Sequence, residues 1–115
     1  MSKYIIYHNP KCSKSRQTLA LLNEHDIEPK IIEYLKNPLS FAEIQQLIKK
    51  LGCEAINLVR VKEDLFKQLG PILNNQQDII NLLVAHPALL ERPIVVRGDH
   101  AVIGRPPENV LKLIK

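Results

Sequence analysis

The sequence predicts an α/β fold, in which a mixed four-stranded sheet is flanked by helices and a helical insertion separates a βαβ half from a ββα half. Three observations predict it. A strand, helix and strand pattern opens the chain, helical periodicity dominates the middle, and a hairpin pattern precedes a final helix. We expect a single domain over residues 1–115, because this length is near the commonest domain size.

The βαβ half begins with Tyr4–His8, a segment rich in β-branched and aromatic residues that predicts a strand. Asn9-Pro10 ends it, because proline has no N–H for a strand ladder. Helical periodicity then runs over Ser13–Asn23, and Lys30–Tyr34 predicts a second strand. Two strands joined in this way are expected to be parallel with a right-handed crossover.

The predicted helical insertion covers about residues 40–87. It opens with Ser40 and Glu43 in the spacing of a capping box, where each side chain accepts from the other's backbone N–H. Apolar residues then recur at helical spacing as far as Leu51, and Gly52 suits the position that ends a helix.

A second helix of the insertion is predicted between Asn75, a suitable N-cap, and His86-Pro87, where it ends. Its inward face is predicted to hold Ile79, Ile80, Leu82 and Leu83, with Val84 as a further candidate for that face. Between the two helices, Leu58–Val61 fits either a strand or an irregular helical segment.

The ββα half is predicted from two β-prone segments, Ile94–Arg97 and His100–Ile103, on either side of Gly98-Asp99. A two-residue turn of this type is a strong hairpin signal. A last helix follows near Pro106-Pro107, where proline suits the first helical position. Its inward residues are predicted to be Val110, Leu111 and Ile114. This order of elements is that of the thioredoxin fold.

Cys12 is predicted to lie on the turn that leads into the first helix. The unpaired N–H groups and the positive end of the helix dipole at such a position favour the thiolate. Lys11, Lys14 and Arg16 add positive charge, and His8 at the strand end is a cationic or hydrogen-bonding neighbour. The alternative is a small buried apolar residue, which many free cysteines are. The helix-start setting favours a nucleophile.

Composition limits the function classes. Only 4% of residues are aromatic and the lysines are scattered, so the net charge of +4 indicates a solvated mixed surface rather than a nucleic-acid site. A small anion is compatible with this charge. No apolar run approaches the roughly 20 residues that cross a bilayer. Cys12 and Cys53 lack metal-site spacing, so we expect two free thiols and no metal in a reducing cytoplasm. We expect a cytoplasmic monomer with no membrane partner.

With these motifs in view, the chain resembles the glutaredoxin-dependent arsenate reductase family. The resemblance rests on His8-Asn9-Pro10 followed by Cys12 and Ser15-Arg16, on Arg60, on Glu91-Arg92-Pro93-Ile94-Val95-Val96, and on Gly104-Arg105-Pro106. It implies a nucleophile at Cys12 and an oxyanion site made by Arg60, Arg92 and Arg105. It also implies a cis peptide bond before Pro93, with this proline facing the cysteine.

The chemistry of these residue types agrees with the resemblance. Arsenate is a tetrahedral oxyanion, and planar guanidinium groups bind such oxygens better than lysine does. A thiolate that attacks arsenic with loss of water would leave a covalent Cys12–arsenic adduct. Ser15 stands where a resolving cysteine would complete C-x-x-C, so an external thiol is required. The resemblance implies glutathione as co-substrate and glutaredoxin as partner, with no tightly bound cofactor.

The supporting residues have two interpretations each. His8 is either a packing residue at the strand end or a neighbour of the reacting group. Ser15 is either a hydroxyl that tunes the pKa of Cys12 or part of the helix start, and Arg16 adds charge.

Other functions are distinguished by spacing. A Cys-x5-Arg phosphatase loop is excluded, because Thr18 occupies the arginine position, and Ser15 disfavours a dithiol oxidoreductase. The remaining alternatives are a regulator similar to the Spx type, which binds RNA polymerase, and a thiol enzyme of the same family that acts on another small oxyanion.

Overall fold

A computed structural model describes residues 4–114. The chain divides into two compact units. The first unit comprises the chain up to Asn37 together with the chain from Arg92 onward, and the second comprises Pro38–Glu91. The second unit coincides closely with the predicted insertion over residues 40–87. The single-domain organisation stays a prediction.

The first unit contains a mixed four-stranded sheet, as predicted. Its strands are β1 Tyr4–His8, β2 Lys30–Glu33, β3 Ile94–Arg97 and β4 His100–Ile103. They lie in the order β2-β1-β3-β4, with β1 and β2 parallel and the other two pairs antiparallel. The strand β2 ends one residue earlier than predicted, because Tyr34 already belongs to the turn that follows and is buried there.

Within residues 4–114 the α-helices are α1 Ser13–Glu24, α2 Phe41–Leu51, α3 Asp64–Leu69, α4 Gln76–Ala85 and α5 Leu111–Ile114. No helix in this part of the chain is long and apolar enough to cross a membrane.

The core of the first unit lies between the sheet, α1 and the C-terminal helical segment. Its buried residues are Ile6, Leu22, Val95, Val110 and Leu113. The inward face predicted for the last helix is correct at Val110 but wrong at Leu111, which is 36% exposed. A 3₁₀ turn over Pro107–Val110 precedes α5 and changes the angular spacing of the side chains, so Leu113 points inward instead.

The second unit is built around α2 and α4, which pack against each other. The capping box of Ser40 and Glu43 is present, and Gly52 ends α2 in the left-handed conformation with φ 64°. Asn75 caps α4 through its side-chain oxygen, which accepts from the N–H of Asp78 at 2.9 Å. Three sequence predictions are thereby confirmed.

The rest of the second unit differs from the prediction. Leu58–Val61 is neither a strand nor one helical segment, because a 3₁₀ turn over Ala55–Leu58 is followed by a single β-bridge from Val59 to Leu90. The short helix α3 was not predicted, since six residues carry too little periodicity to detect. Val84 is 38% exposed and lies outside the inward face of α4.

Candidate functional site

Cys12 is the N-cap residue of α1, as the sequence predicts. Its backbone is extended (φ −94°, ψ 124°), its N–H donates to the Asn9 carbonyl at 2.9 Å, and its carbonyl accepts from the N–H of Arg16 at 3.0 Å. Asn9 also accepts the N–H of Lys11 on its side-chain oxygen at 3.0 Å. These bonds hold the turn between β1 and α1, so the sulfur is aimed along the start of the helix, with 9% of the residue exposed.

The surroundings of Cys12 lower the pKa of its thiol. Burial acts in the opposite direction, but it is outweighed by the N–H of Ser15, by the charge and hydrogen bond of the Arg92 guanidinium, and by the N–H of Lys14. The two backbone N–H groups act at short range without the geometry of a capping hydrogen bond. The sulfur therefore lies between the first turn of α1 and an arginine from just before β3.

Arg92 contributes more than a charge beside the sulfur. Its Nε is buried and, among the residues that the structure describes, has no hydrogen-bond partner. A buried guanidinium N–H without an acceptor is costly, so it indicates a place for a ligand oxygen. The peptide bond between Arg92 and Pro93 is cis, as the resemblance implied, and Pro93 is fully buried.

His8 and Ser15 are joined beneath this turn. The Nδ1 of His8 and the Oγ of Ser15 are 2.6 Å apart, and the same Oγ accepts the N–H of Asn9 at 3.1 Å. Both residues are buried. The hydroxyl of Ser15 is therefore engaged with His8 and Asn9, while its backbone N–H is the group that acts on Cys12.

Burial also lowers the pKa of His8. The charge of Glu33 opposes this effect, and the charge of Arg16 adds to it. The side chain of Arg16 is exposed, and its Nη1 donates to the Pro10 carbonyl at 2.8 Å. Arg16 thus stabilises the turn between β1 and α1, and its charge helps to keep His8 neutral by lowering the pKa of that residue.

Two residues that sequence reasoning missed connect the elements of the site. The buried Thr18 lies in the second turn of α1, and Gly104 follows β4. The N–H of Gly104 donates to the Pro93 carbonyl at 2.8 Å, and an added Cβ on Gly104 would lie 2.7 Å from the Thr18 Oγ1. A glycine directly before the Arg105-Pro106 pair was the available signal.

Arg105 follows Gly104 directly and is exposed. The peptide bond between Arg105 and Pro106 is cis, like the one at Arg92, and the carbonyl of Arg105 accepts from the side chain of Asn109 at 3.2 Å. The backbone of Arg105, which is predicted to bind the oxyanion, is thus held next to the hydrogen bond between Gly104 and Pro93.

Arg60 belongs to the second unit, where acidic side chains surround it. Its Nη1 pairs with Glu63, and its Nε lies 3.8 Å from an oxygen of Glu91. Its backbone N–H donates to the Leu89 carbonyl at 2.8 Å, which ties it to the segment that leads into Arg92. Its oxyanion role stays a prediction.

Cys53 has the opposite electrostatic setting to Cys12. Burial raises the pKa of its thiol, the side chain of Asn57 opposes that effect, and Glu54 adds to it. The two thiols are both free. Of the two, Cys12 is therefore the one that the surroundings favour as a nucleophile.

Comparison with known proteins places this site in a family context. A family model described as the ArsC family matches residues 7–113. An arsenate reductase of Haemophilus influenzae is 48% identical, over 96% of this chain and 97% of its own. The uncharacterized protein YfgD of Escherichia coli is 47% identical, over 99% of both chains.

The fold is shared with solved structures. An arsenate reductase from Vibrio cholerae superposes with a TM-score of 0.90 at 46% identity, and the match covers 95% of each chain. The thioredoxin-like fold predicted from the order of elements is thereby confirmed.

Proposed function

Because this chain belongs to the ArsC family, we propose that it is an arsenate reductase that depends on glutathione and glutaredoxin, with Cys12 as the nucleophile. The name arsenate reductase is carried by relatives and by a solved structure that match nearly the whole chain at 44–48% identity. The observation that carries the proposal is the Arg92 guanidinium, which hydrogen-bonds to the Cys12 sulfur and whose buried Nε has no hydrogen-bond partner among residues 4–114.

The first step is attack of the Cys12 thiolate on arsenic. A sulfur–arsenic bond forms, an arsenic–oxygen bond breaks, and the departing oxygen takes up protons to leave as water. Arg92 stabilises the charge on the remaining oxygens, since its N–H groups are already oriented before the substrate arrives. Arg105 supplies a further guanidinium group for the oxygens of the tetrahedral anion.

The reduction needs two electrons from two thiols. Ser15 cannot provide a resolving sulfur, so glutathione attacks the Cys12–arsenic adduct, and a second oxygen leaves as water. Arsenic(V) becomes arsenic(III) when the Cys12 and glutathione sulfurs join as a mixed disulfide, which glutaredoxin reduces. The exposed surface of Lys11 and Arg16 beside Cys12 suits the carboxylates of glutathione.

The test is arsenite production by the purified chain with arsenate, glutathione and glutaredoxin, omitting each thiol component in turn. We expect turnover only in the complete mixture, loss of essentially all turnover in Cys12→Ser, and wild-type turnover in the matched control Cys53→Ser. Arsenite formation that survives in Cys12→Ser would contradict the proposal. Capture of RNA polymerase by a chain without turnover would favour a regulator instead.

A further inference from the structure

The groups that stabilise the Cys12 thiolate in the proposed oxyanion site come from two separate elements. The first turn of α1 supplies the N–H groups of Lys14 and Ser15, and the segment before β3 supplies the guanidinium of Arg92. A small anion must reach both sets at once, so the distance between these elements determines how well it binds.

Gly104 lies against both elements. A Cβ added to it would meet the Thr18 Oγ1 at 2.7 Å, the Pro93 Cγ at 2.9 Å and the Thr18 Cγ2 at 3.1 Å. Contacts below 3.0 Å require that one of these groups moves. Helix α1 and Pro93 thus approach each other as closely as a residue without a side chain allows.

Thr18 connects Gly104 to the first turn of α1, which lies beside Cys12. It is fully buried, and its hydroxyl donates to the Lys14 carbonyl at 2.8 Å, while the Gly104 carbonyl lies 3.4 Å from the same oxygen. The Lys14 carbonyl belongs to the same peptide group as the Ser15 N–H, which acts on the Cys12 sulfur. The N–H of Gly104 also donates a hydrogen bond to the Pro93 carbonyl at 2.8 Å.

We propose that Thr18 and Gly104 are positioning residues, which set the distance between the first turn of α1 and Arg92 and thereby the affinity of the site for an oxyanion. Neither residue touches the anion itself. Because Gly104 immediately precedes Arg105, the same contact also places the backbone of that arginine. This inference rests on the proposed function, since it concerns the same oxyanion site.

The experiment measures how well arsenate or sulfate protects Cys12 from alkylation, in a Cys53→Ser background. We expect Gly104→Ala to weaken the protection by about tenfold or more, because displacements of the order of an ångström cost that much in a preorganised site. Thr18→Ala should weaken it less. In the double variant, loss of the Thr18 side chain makes room for the new methyl group, so protection should recover in part.

The matched control is Leu19→Ala, which removes a partly buried side chain from the same helix without touching Gly104. It should lower the free energy of unfolding and leave the protection unchanged. Loss of protection in folded Gly104→Ala, with protection kept in the destabilised Leu19→Ala, is the result that a merely destabilising effect would not produce.

Two outcomes distinguish a failure of the proposed function from a failure of the positioning inference. If neither anion protects Cys12 in the wild type, the oxyanion site of the proposed function is wrong. If the wild type is protected and folded Gly104→Ala is protected equally, the positioning inference is overturned. Should Gly104→Ala fail to fold, Thr18→Ala decides, and wild-type protection in that variant overturns the inference as well.

Discussion

At the scale of single residues, the chemistry depends on one sulfur and the groups that stabilise its charge. Cys12 is an N-cap residue whose side chain meets the N–H of Ser15 and the guanidinium of Arg92. Each of these groups favours the ionised form, and together they exceed the cost of burial. A cysteine of ordinary surroundings, such as Cys53, has no comparable support.

This contrast predicts the pH dependence of alkylation. The rate at Cys12 should reach half its maximum at a lower pH than the rate at Cys53, because the pKa of Cys12 is lowered and that of Cys53 is raised. Arg92→Ala should move the Cys12 midpoint to higher pH. Rapid iodoacetamide labelling with mass spectrometry measures both thiols in one sample.

The control for the pH profile is Lys49→Ala, which removes an exposed cation from α2. The pH dependence of folding stability gives a second test of the lowered pKa of Cys12. Since folding lowers the pKa of Cys12, its thiolate stabilises the folded chain above the unfolded pKa, and this stabilisation is lost as the pH falls through the folded value. The stability difference between wild type and Cys12→Ser should therefore grow with rising pH. A difference independent of pH would contradict the lowered pKa.

At the scale of elements, local signals in the sequence explain several helix starts and stops. Ser40 and Glu43 satisfy each other's backbone N–H groups at the start of α2, and Gly52 ends that helix with a positive φ. The side chain of Asn75 caps the start of α4. The short α3 was not predicted, although Gly70 ends it in the left-handed conformation, because six residues carry too little periodicity.

The capping box gives a quantitative expectation. Ser40→Ala should lower the free energy of unfolding by about 1 kcal/mol, because the N–H of Glu43 loses its acceptor at the end of α2. Urea titration followed by circular dichroism measures the change. Gln45→Ala, at an exposed position within the same helix, should have an effect near zero. Equal effects of the two substitutions would show that the box contributes nothing.

At the scale of the whole molecule, the chain forms two compact units, each with its own buried residues. Ile6 and Val95 are fully buried in the first unit, and Ile80 and Leu83 are buried in the second. The length of 115 residues predicts that they unfold together as a single cooperative domain.

Native-state hydrogen exchange tests this expectation. Ile80→Val removes one buried methyl group from the second unit and should cost about 1 kcal/mol. If the units unfold together, the slowest amides around Ile6 and Val95 should lose the same free energy of protection as those around Ile80. A loss confined to the second unit would show that it opens independently. Val84→Ala, at a half-exposed position, serves as the control.

The sequence by itself determined the order of elements, the mixed sheet, the helical insertion and the place of Cys12 at the start of α1. These features follow from short-range causes, since periodicity, caps and prolines act within a few residues of chain. The resemblance rested instead on the motifs around Cys12, Pro93 and Pro106, and it named Arg60, Arg92 and Arg105 as oxyanion ligands.

Only the tertiary structure decided which side chains meet. In the described part of the chain, the Nε of Arg92 is buried without a hydrogen-bond partner. The hydrogen bond between Ser15 and His8 and the contact of Gly104 with Thr18 join residues whose spacing in the sequence says nothing about their distance in space. The exposure of Leu111 had the same origin, because a 3₁₀ turn altered the register of the last helix. Packing between distant segments fixes such contacts, and no local pattern encodes it.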